Sequence, residues 1–188
     1  MSPASAILWL WAIWFLSWLI AAPWSSRTQA RPRLRSELLY RLVTLLGMVL
    51  LFVARPPVGH EGGWTTQDVR WCLVGLAGTG FALCWWARIH LGRMWSSSVA
   101  RKADHHIVDT GPYALVRHPI YTGIIIAAAA TAALAANAIA FAGLVLVIIG
   151  FWIKARLEER FLRHELGAEA YDAYARRTGM LFPALPRR

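Results

Sequence analysis

Charge is scarce in this chain, and negative charge is the scarcest. Only 16% of the 188 residues are charged, 57% are hydrophobic, and 10 Asp and Glu stand against 20 Lys and Arg. A water-soluble globular domain of this composition would have too little polar surface to cover itself. We therefore expect an integral membrane protein, whose net charge of +10 reflects loop topology and lipid headgroups rather than binding to nucleic acid.

Cysteine is also scarce. Cys72 and Cys84 fall in one predicted helix, where they would lie about 18 Å apart at a rise of about 1.5 Å per residue. A disulfide cannot span that distance, so no disulfide framework is expected. The N-terminus has no Lys or Arg before Arg27 and so lacks the positive region of a secretory signal peptide. We interpret its apolar run as a retained first membrane span.

Long apolar runs, in contrast, are abundant. Three runs, near residues 5 to 22, 37 to 54 and 69 to 90, each provide the roughly 20 residues that cross a bilayer. A fourth run, 119 to 153, has no charge and would be about 52 Å long as one helix, so it must fold back, with the turn at Asn137. The sequence predicts an all-α integral membrane protein of about five transmembrane helices. The last two, at about 119 to 135 and 138 to 156, form a tight helical hairpin, and a cytoplasmic C-terminal helical segment follows.

The distribution of basic residues predicts the orientation. The loops after the first and third spans and the C-terminal tail are rich in Arg and Lys, whereas the second loop and the hairpin turn are not. The positive-inside rule then puts the N-terminus outside and the active site and C-terminus in the cytoplasm, with the bacterial inner membrane as the expected location. The tryptophans of the first span are expected to be lipid-facing or interfacial anchors, namely Trp9, Trp11, Trp14 and Trp18.

Two polar stretches flank the predicted hairpin. "GPYALVRHPIYTG" (111–123) precedes its first helix, and "KARLEER" (154–160) follows the apolar part of its second. Because a hairpin returns both stretches to the same side of the bilayer, Arg117 and His118 could face Glu158 across a pocket. In the alternative interpretation, Arg117 only extends to lipid headgroups.

These stretches resemble a known family. "RHPIYTG" is similar to the Arg-His-Pro-x-Tyr-x-Gly signature of the integral-membrane methyltransferases typified by isoprenylcysteine carboxyl methyltransferase, which are related to phospholipid N-methyltransferases. "EERFLRHELGAEAYDAY" is similar to the Glu-Glu-x-x-Leu and Phe-Gly-x-x-Tyr-x-x-Tyr motifs that follow in that family. The resemblance covers about residues 85 to 183. It departs from the family pattern at Leu166, in the spacing before Tyr171, and at Lys154, where an arginine is usual.

The resemblance implies an S-adenosylmethionine-dependent methyltransferase. It divides the chain into N-terminal scaffold helices, 1–84, and a catalytic region, 85–188. Arg156 or Lys154 would orient the acceptor, and no metal is expected. The implied cofactor contacts are His105, His106, Ile107, Val108, Tyr113, His118, Pro119, Ile120, Tyr121, Glu158 and Glu159.

The implied acceptor is lipophilic and enters from the bilayer. A carboxylate of an isoprenylcysteine-like substrate is expected first, and a phospholipid amine or a small thiol is the alternative. An amine or thiol must lose a proton, for which His118 or Tyr121 are candidate bases. Outside enzymes, a metal-binding membrane protein could use His90, His105, His106 and His118, although adjacent histidines are poorly spaced for tetrahedral coordination. A structural or regulatory membrane protein without catalysis is a further alternative, and the sequence leaves the oligomeric state open.

Overall fold

A computed structural model describes residues 1–25, 28–30, 34–53, 66–95, 101–102 and 107–184. These residues form six α-helices, two short 3-10 turns and two short strands. The helices are α1 (Pro3–Ala21), α2 (Leu34–Val53), α3 (Gln67–Leu91), α4 (Pro119–Ala135), α5 (Ala138–Leu166) and α6 (Ala168–Arg177). The 3-10 turns are Gly92–Met94 and Gly111–Ala114, and strand β1 (Thr28–Ala30) pairs antiparallel with β2 (Arg101–Lys102). The prediction of a helical fold is confirmed.

Several of these helices suit a membrane. Within the described residues, three segments have the length and hydropathy of a membrane span, namely Pro3–Ala21, Gln67–Met94 and Ala138–Leu166. Helix α4, with 17 residues, is a shorter apolar helix. These helices support an integral membrane protein, while the total of five spans stays a prediction.

The predicted hairpin is formed by α4 and α5. Ala136 ends α4 in a left-handed conformation, with φ 52° and its N–H bonded to the carbonyl of Ala132. Asn137 then caps α5, because its side-chain oxygen accepts a hydrogen bond from the Ala140 N–H at 3.0 Å. The chain therefore reverses at the predicted asparagine. Helix α5 continues to Leu166, beyond the apolar stretch that was predicted to end near residue 156.

Glycines allow two pairs of helices to pack closely. A Cβ atom on Gly123 of α4 would lie 2.4 Å from the Gly80 carbonyl oxygen of α3. A Cβ atom on Gly143 of α5 would likewise lie 2.7 Å from the Gly47 carbonyl oxygen of α2. Side chains are thus excluded at both crossings, as is typical of helix packing in membranes. The α3–α4 and α2–α5 contacts hold the hairpin between the earlier helices.

The tryptophans of α1 correct one expectation. Trp11 is buried and its indole N–H donates to the Thr131 hydroxyl at 2.9 Å, while Trp14 and Trp18 are half-buried. Only Trp9, 62% exposed, fits the predicted lipid-facing position. The reason is helical spacing, because positions 11, 14 and 18 share one face of α1, and that face packs against α3.

Arg88 joins the ends of α1 and α3. Its guanidinium is buried and donates to the carbonyl oxygens of Ala21, Trp24 and Gly92. The indole rings of Trp24 and Trp95 lie 4.7 and 4.6 Å from the guanidinium carbon, so the cation is also enclosed by aromatic faces. Strands β1 and β2, which follow α1 and α3 along the chain, pair with each other. The cytoplasmic location of these helix ends stays a prediction.

Candidate active site

The segment before α4 is held by the C-terminal end of the described chain. Proline at the first position of α4 needs no N–H partner and begins the helix directly after His118. The Arg117 N–H donates to the Gly179 carbonyl at 2.8 Å, and the His118 N–H donates to the Met180 carbonyl at 3.1 Å. The Thr122 hydroxyl donates to the Leu181 carbonyl at 2.7 Å. Residues 178–182, here named the C-terminal strap, therefore fix where the His118 ring can lie.

The two adjacent glutamates of α5 have different partners, since neighbouring residues of a helix point about 100° apart. One Glu159 oxygen, Oε1, accepts from Arg117 Nε at 2.6 Å and from His118 Nε2 at 3.2 Å. Glu158 Oε2 accepts from the Tyr121 hydroxyl at 2.5 Å and lies 4.0 Å from His118 Nδ1. The structure thus brings His118 to face both glutamates, as predicted for Glu158, whereas Arg117 faces Glu159 and not the predicted Glu158.

Arg117 is not a headgroup anchor. Its side chain is only 11% exposed, and besides Glu159 its guanidinium donates to the carbonyl oxygens of Ala175 and Thr178. The alternative interpretation of this residue is therefore wrong. An arginine with three fixed acceptors joins α5 to the end of α6 and to the C-terminal strap.

A cavity of about 300 Å³ lies beside this network. It is lined by most of the residues that the resemblance implied: Ile107, Val108, Tyr113, His118, Pro119, Ile120, Tyr121, Lys154 and Glu158. Arg117 also borders it. The other walls are aromatic or aliphatic: Trp14, Trp18, Leu91, Met94, Trp95, Ile124, Phe151, Leu162, Leu166, Tyr171 and Tyr174. The roles of the predicted residues in binding cofactor stay predictions, but their positions converge.

Tyr121 occupies the polar corner of the cavity. Its ring stacks on His118 with centroids 5.1 Å apart, and on Phe151 with centroids 5.0 Å apart. The ammonium of Lys154 lies 5.0 Å from the Tyr121 ring centre, within reach of a cation–π interaction. This corner therefore combines a cation, a carboxylate and stacked rings.

Other predicted residues lie elsewhere. Arg156 does not line the cavity, and its exposed guanidinium lies 5.4 Å from the Trp152 ring. Glu159 is absent from the lining and braces Arg117 and His118 instead. His105 and His106 lie outside the described residues. In the described part of the chain, no group of three or more His, Cys, Asp or Glu is arranged to hold a metal ion.

Sequence reasoning missed the walls contributed by α1 and α6. Trp14 and Trp18 were predicted to be lipid-facing or interfacial anchors, although their helical spacing could have indicated a shared buried face. Tyr174 of α6 donates its hydroxyl to the Tyr113 carbonyl at 2.8 Å. Burial raises the pKa of Tyr174 to about 12 and also raises the pKa values of Tyr113 and Tyr171. These phenols therefore stay protonated at neutral pH.

The fold and the cavity together define a helical membrane protein with a candidate ligand site, whose walls come from the hairpin and from α1, α3 and α6. Residues 73–164 match the model of the isoprenylcysteine carboxyl methyltransferase (ICMT) family. The matched region contains the cavity-lining His118, Tyr121 and Glu158.

Two curated relatives carry different names. The cobalt-zinc-cadmium resistance protein CzcN of Cupriavidus metallidurans is 35% identical over 155 residues, which cover 77% of this chain and 61% of that protein. The methanethiol S-methyltransferase of a Pseudomonas species is 44% identical over 71 residues, which cover 38% of this chain and 26% of that enzyme. The chain thus spans less than two thirds of either relative.

Proposed function

We propose that this protein is an S-adenosylmethionine-dependent methyltransferase that methylates a lipophilic acceptor at the cytoplasmic face of a bacterial inner membrane. The observation that carries the proposal is the Tyr121–Glu158 pair, which borders an aromatic cavity inside the family-matched region. The match to the family supports methyl transfer as the reaction class, and the cavity is a candidate site for that reaction.

The residues around the cavity suit this cofactor. Glu158 offers a carboxylate to an ammonium or a ribose hydroxyl, since its Oε1 is not used by Tyr121. Tyr113 and the tryptophans at the walls offer aromatic faces, on which an adenine ring can stack and toward which a sulfonium cation is attracted. When bound, the cofactor would supply an electrophilic methyl group.

The protein then needs to position the acceptor and exclude water. Lys154 lines the cavity and can orient an anionic acceptor by a charge-assisted hydrogen bond. The apolar walls, which include Tyr171 and Tyr174 of α6, would limit the access of bulk solvent to the reacting atoms. Alignment of two reactants in such a site can provide most of the rate of a direct displacement.

Two classes of acceptor suit the cavity. An isoprenylcysteine-like carboxylate agrees with the family description, and Lys154 could pair with it. A small lipophilic thiol is the second candidate, and the name of the methanethiol S-methyltransferase relative favours it. Both would reach the site through lipid because of their apolar parts.

The test is methyl transfer by the protein purified in detergent, using S-adenosylmethionine with a labelled methyl group. The acceptor panel contains a farnesylated cysteine, phosphatidylethanolamine, benzyl mercaptan and decanethiol. We expect labelled methyl groups in one acceptor class. The proposal would be contradicted if no acceptor were labelled and calorimetry showed no binding of S-adenosylmethionine.

Binding variants locate the cofactor. Glu158→Ala removes a charged hydrogen-bond acceptor and should weaken cofactor affinity by about tenfold or more. Glu169→Ala is the matched control, because Glu169 is exposed on α6 and does not line the cavity. Equal affinity in the two variants would place the cofactor elsewhere.

Metal binding stays the alternative from another functional class. The name of CzcN refers to resistance to cobalt, zinc and cadmium, and that name alone favours the alternative here. Dialysis followed by elemental analysis decides it: stoichiometric transition metal in a protein that binds no S-adenosylmethionine would replace the methyltransferase proposal.

A further inference from the structure

We propose that His118 is the general base of this site, that Glu159 positions it, and that the acceptor is a lipophilic thiol. The inference rests on the proposed methyltransferase function and names the acceptor class for it. It depends on which nitrogen of His118 carries the proton and on what that nitrogen faces.

The hydrogen bonds define the tautomer of His118. Glu159 Oε1 is paired with the Arg117 guanidinium at 2.6 Å, which keeps this carboxylate ionised and able only to accept. His118 Nε2 lies 3.2 Å from the same oxygen, so this nitrogen must carry the hydrogen. In a neutral imidazole the other nitrogen, Nδ1, then presents a lone pair.

Nothing in the described part of the chain donates to that lone pair. The nearest acidic atom is Glu158 Oε2, 4.0 Å from Nδ1, and this oxygen is itself an acceptor of the Tyr121 hydroxyl. His118 Nδ1 and Glu158 Oε2 are thus two neighbouring hydrogen-bond acceptors in residues that line the cavity, and a ligand could supply the hydrogen-bond donor between them. An S–H group placed there could donate to Nδ1.

The ring cannot easily turn away. His118 is buried, stacks on Tyr121 with an interplanar angle of 6°, and has its backbone N–H bonded to the C-terminal strap. With a thiol at Nδ1, a carboxylate, an imidazole and a substrate proton would follow one another, the order in which a carboxylate orients a histidine base.

The His118 ring lies between two carboxylates. The titratable and charged groups near His118 are Arg117, Tyr113, Tyr121, Lys154, Glu158, Glu159, Tyr171 and Tyr174. Of these, Glu159 Oε1 lies 3.2 Å from Nε2 and Glu158 Oε2 lies 4.0 Å from Nδ1, whereas the Arg117 guanidinium contacts Glu159. Protonation of Nδ1 would thus place an imidazolium between two negative groups.

The acceptor class follows from the need for a general base, because only some acceptors must lose a proton before they are methylated. A carboxylate is already ionised at neutral pH, so it gains nothing from His118. A thiol has an ordinary pKa about two units above that of an imidazole and an amine about four units above it, so the thiol loses its proton to a histidine far more readily. The aromatic and aliphatic walls favour a thiol with an apolar body.

The step balances as follows. The acceptor S–H proton moves to His118 Nδ1, and the sulfur lone pair forms a bond to the donor methyl carbon. The bond from that carbon to the sulfonium sulfur breaks and its electrons stay on the donor sulfur, which becomes a neutral thioether. The methylated acceptor is also a neutral thioether, and the imidazolium later releases its proton to solvent.

The test compares two thiols at saturating S-adenosylmethionine. Benzyl mercaptan is protonated at neutral pH, whereas 4-nitrothiophenol is already ionised. We expect His118→Asn to lower the ratio of kcat for benzyl mercaptan to kcat for 4-nitrothiophenol by about 100-fold, the usual contribution of a general base. His164→Asn is the matched control, since His164 lies on α5 with a side chain 85% exposed, and its ratio should equal that of the wild type.

Glu159→Gln tests the positioning role and serves if His118→Asn does not fold. The amide oxygen can still accept from Nε2, but the imidazolium loses a negative partner. We therefore expect the acidic limb of the benzyl mercaptan rate profile to move to lower pH, with kcat reduced and the KM for the thiol nearly constant. A purely structural role would lower the folded fraction without moving this limb.

A readout without turnover completes the test. In complexes saturated with S-adenosylhomocysteine, the ultraviolet absorption of bound 4-methylthiophenol reports how much of the thiol is ionised, and we expect this fraction to fall in His118→Asn. If both the kcat ratio and the ionised fraction were unchanged in His118→Asn, the assignment of His118 as the general base would be overturned. Activity on carboxylates alone would also overturn it while leaving the methyltransferase function in place, whereas no methyl transfer at all would refute both.

Discussion

Removing Arg117 should destabilise the protein far more than removing a comparable exposed arginine. Arg117→Ala deletes the ion pair with Glu159 and two hydrogen bonds to the carbonyls of Ala175 and Thr178. The two side chains of the pair are 11% and 14% exposed, so Glu159 would be left largely desolvated with only His118 as partner.

The magnitude follows from that burial. Loss of one partner of a buried ion pair usually costs about 3 to 5 kcal/mol. Because His118 can still donate to Glu159, we expect the lower end, about 3 kcal/mol of unfolding free energy. The loss should be local first, since Arg117 links Glu159 of α5 to the end of α6 and to the C-terminal strap.

The assay combines thermal unfolding in detergent with amide hydrogen exchange. Arg117→Ala should lower the unfolding midpoint and speed exchange in residues 175–182 before it affects α3. Arg163→Ala is the control: its bidentate pair with Asp172 has similar chemistry at 2.8 Å but is solvent-exposed, so its midpoint should stay within the scatter of replicates. Equal effects of the two substitutions would refute the argument that burial makes the Arg117 pair important.

Three further predictions concern packing, pH and the cavity wall. Gly123→Ala should cost about 1 to 3 kcal/mol because its methyl group would meet backbone of α3, whereas Gly78→Ala, which has open space, should not destabilise; equal midpoints would contradict the close crossing. Tyr174→Phe should remove about 1 kcal/mol of stability through the lost bond to the Tyr113 carbonyl. Because the pKa of Tyr174 is raised to about 12, the stability that its hydroxyl contributes in the wild type is present below pH about 10 and is lost as pH rises toward 12. If Tyr174→Phe had the same alkaline unfolding curve as the wild type, this role of the hydroxyl would be contradicted. Trp14→Phe removes an indole N–H that is buried and has no hydrogen-bond partner among the described residues, so it should leave stability intact. Because Trp14 lines the cavity, the same substitution should raise the KM of the acceptor, and an unchanged KM would place the acceptor away from α1.

The hairpin was predictable because a single requirement decided it. An uncharged run of that length cannot lie across a bilayer as one helix, and Asn137 is both its one strongly polar residue and a good helix cap. The apposition of Arg117 and His118 with the glutamates follows from the hairpin alone. Local pattern and membrane thickness therefore determined the architecture around the site.

Which of two neighbouring residues faces the cavity was not predictable. Glu158 and Glu159 have the same chemistry, and Lys154 and Arg156 are both cations. The rotation of α5 about its axis therefore decides which residue of each pair lines the cavity. That rotation is set by α2, through the close approach at Gly47 and Gly143, and nothing in "KARLEER" records it. Arg117 likewise could not be distinguished from a headgroup anchor, because its acceptors come from α5, α6 and the C-terminal strap, which are distant in the sequence.

The cavity also depends on segments that the family match does not include. His118, Tyr121, Lys154 and Glu158 lie within residues 73–164, whereas Trp14 and Trp18 come from α1 and Tyr171 and Tyr174 from α6. Helix α3 runs continuously across the predicted boundary between scaffold and catalytic region. The polar corner, where we propose that cofactor binding and proton transfer occur, is thus built from the shared region, while much of the apolar wall is built from flanking helices. Relatives that share the corner can therefore differ in acceptor, because changes in α1 and α6 alter the wall without disturbing the glutamate, histidine and tyrosine beside it.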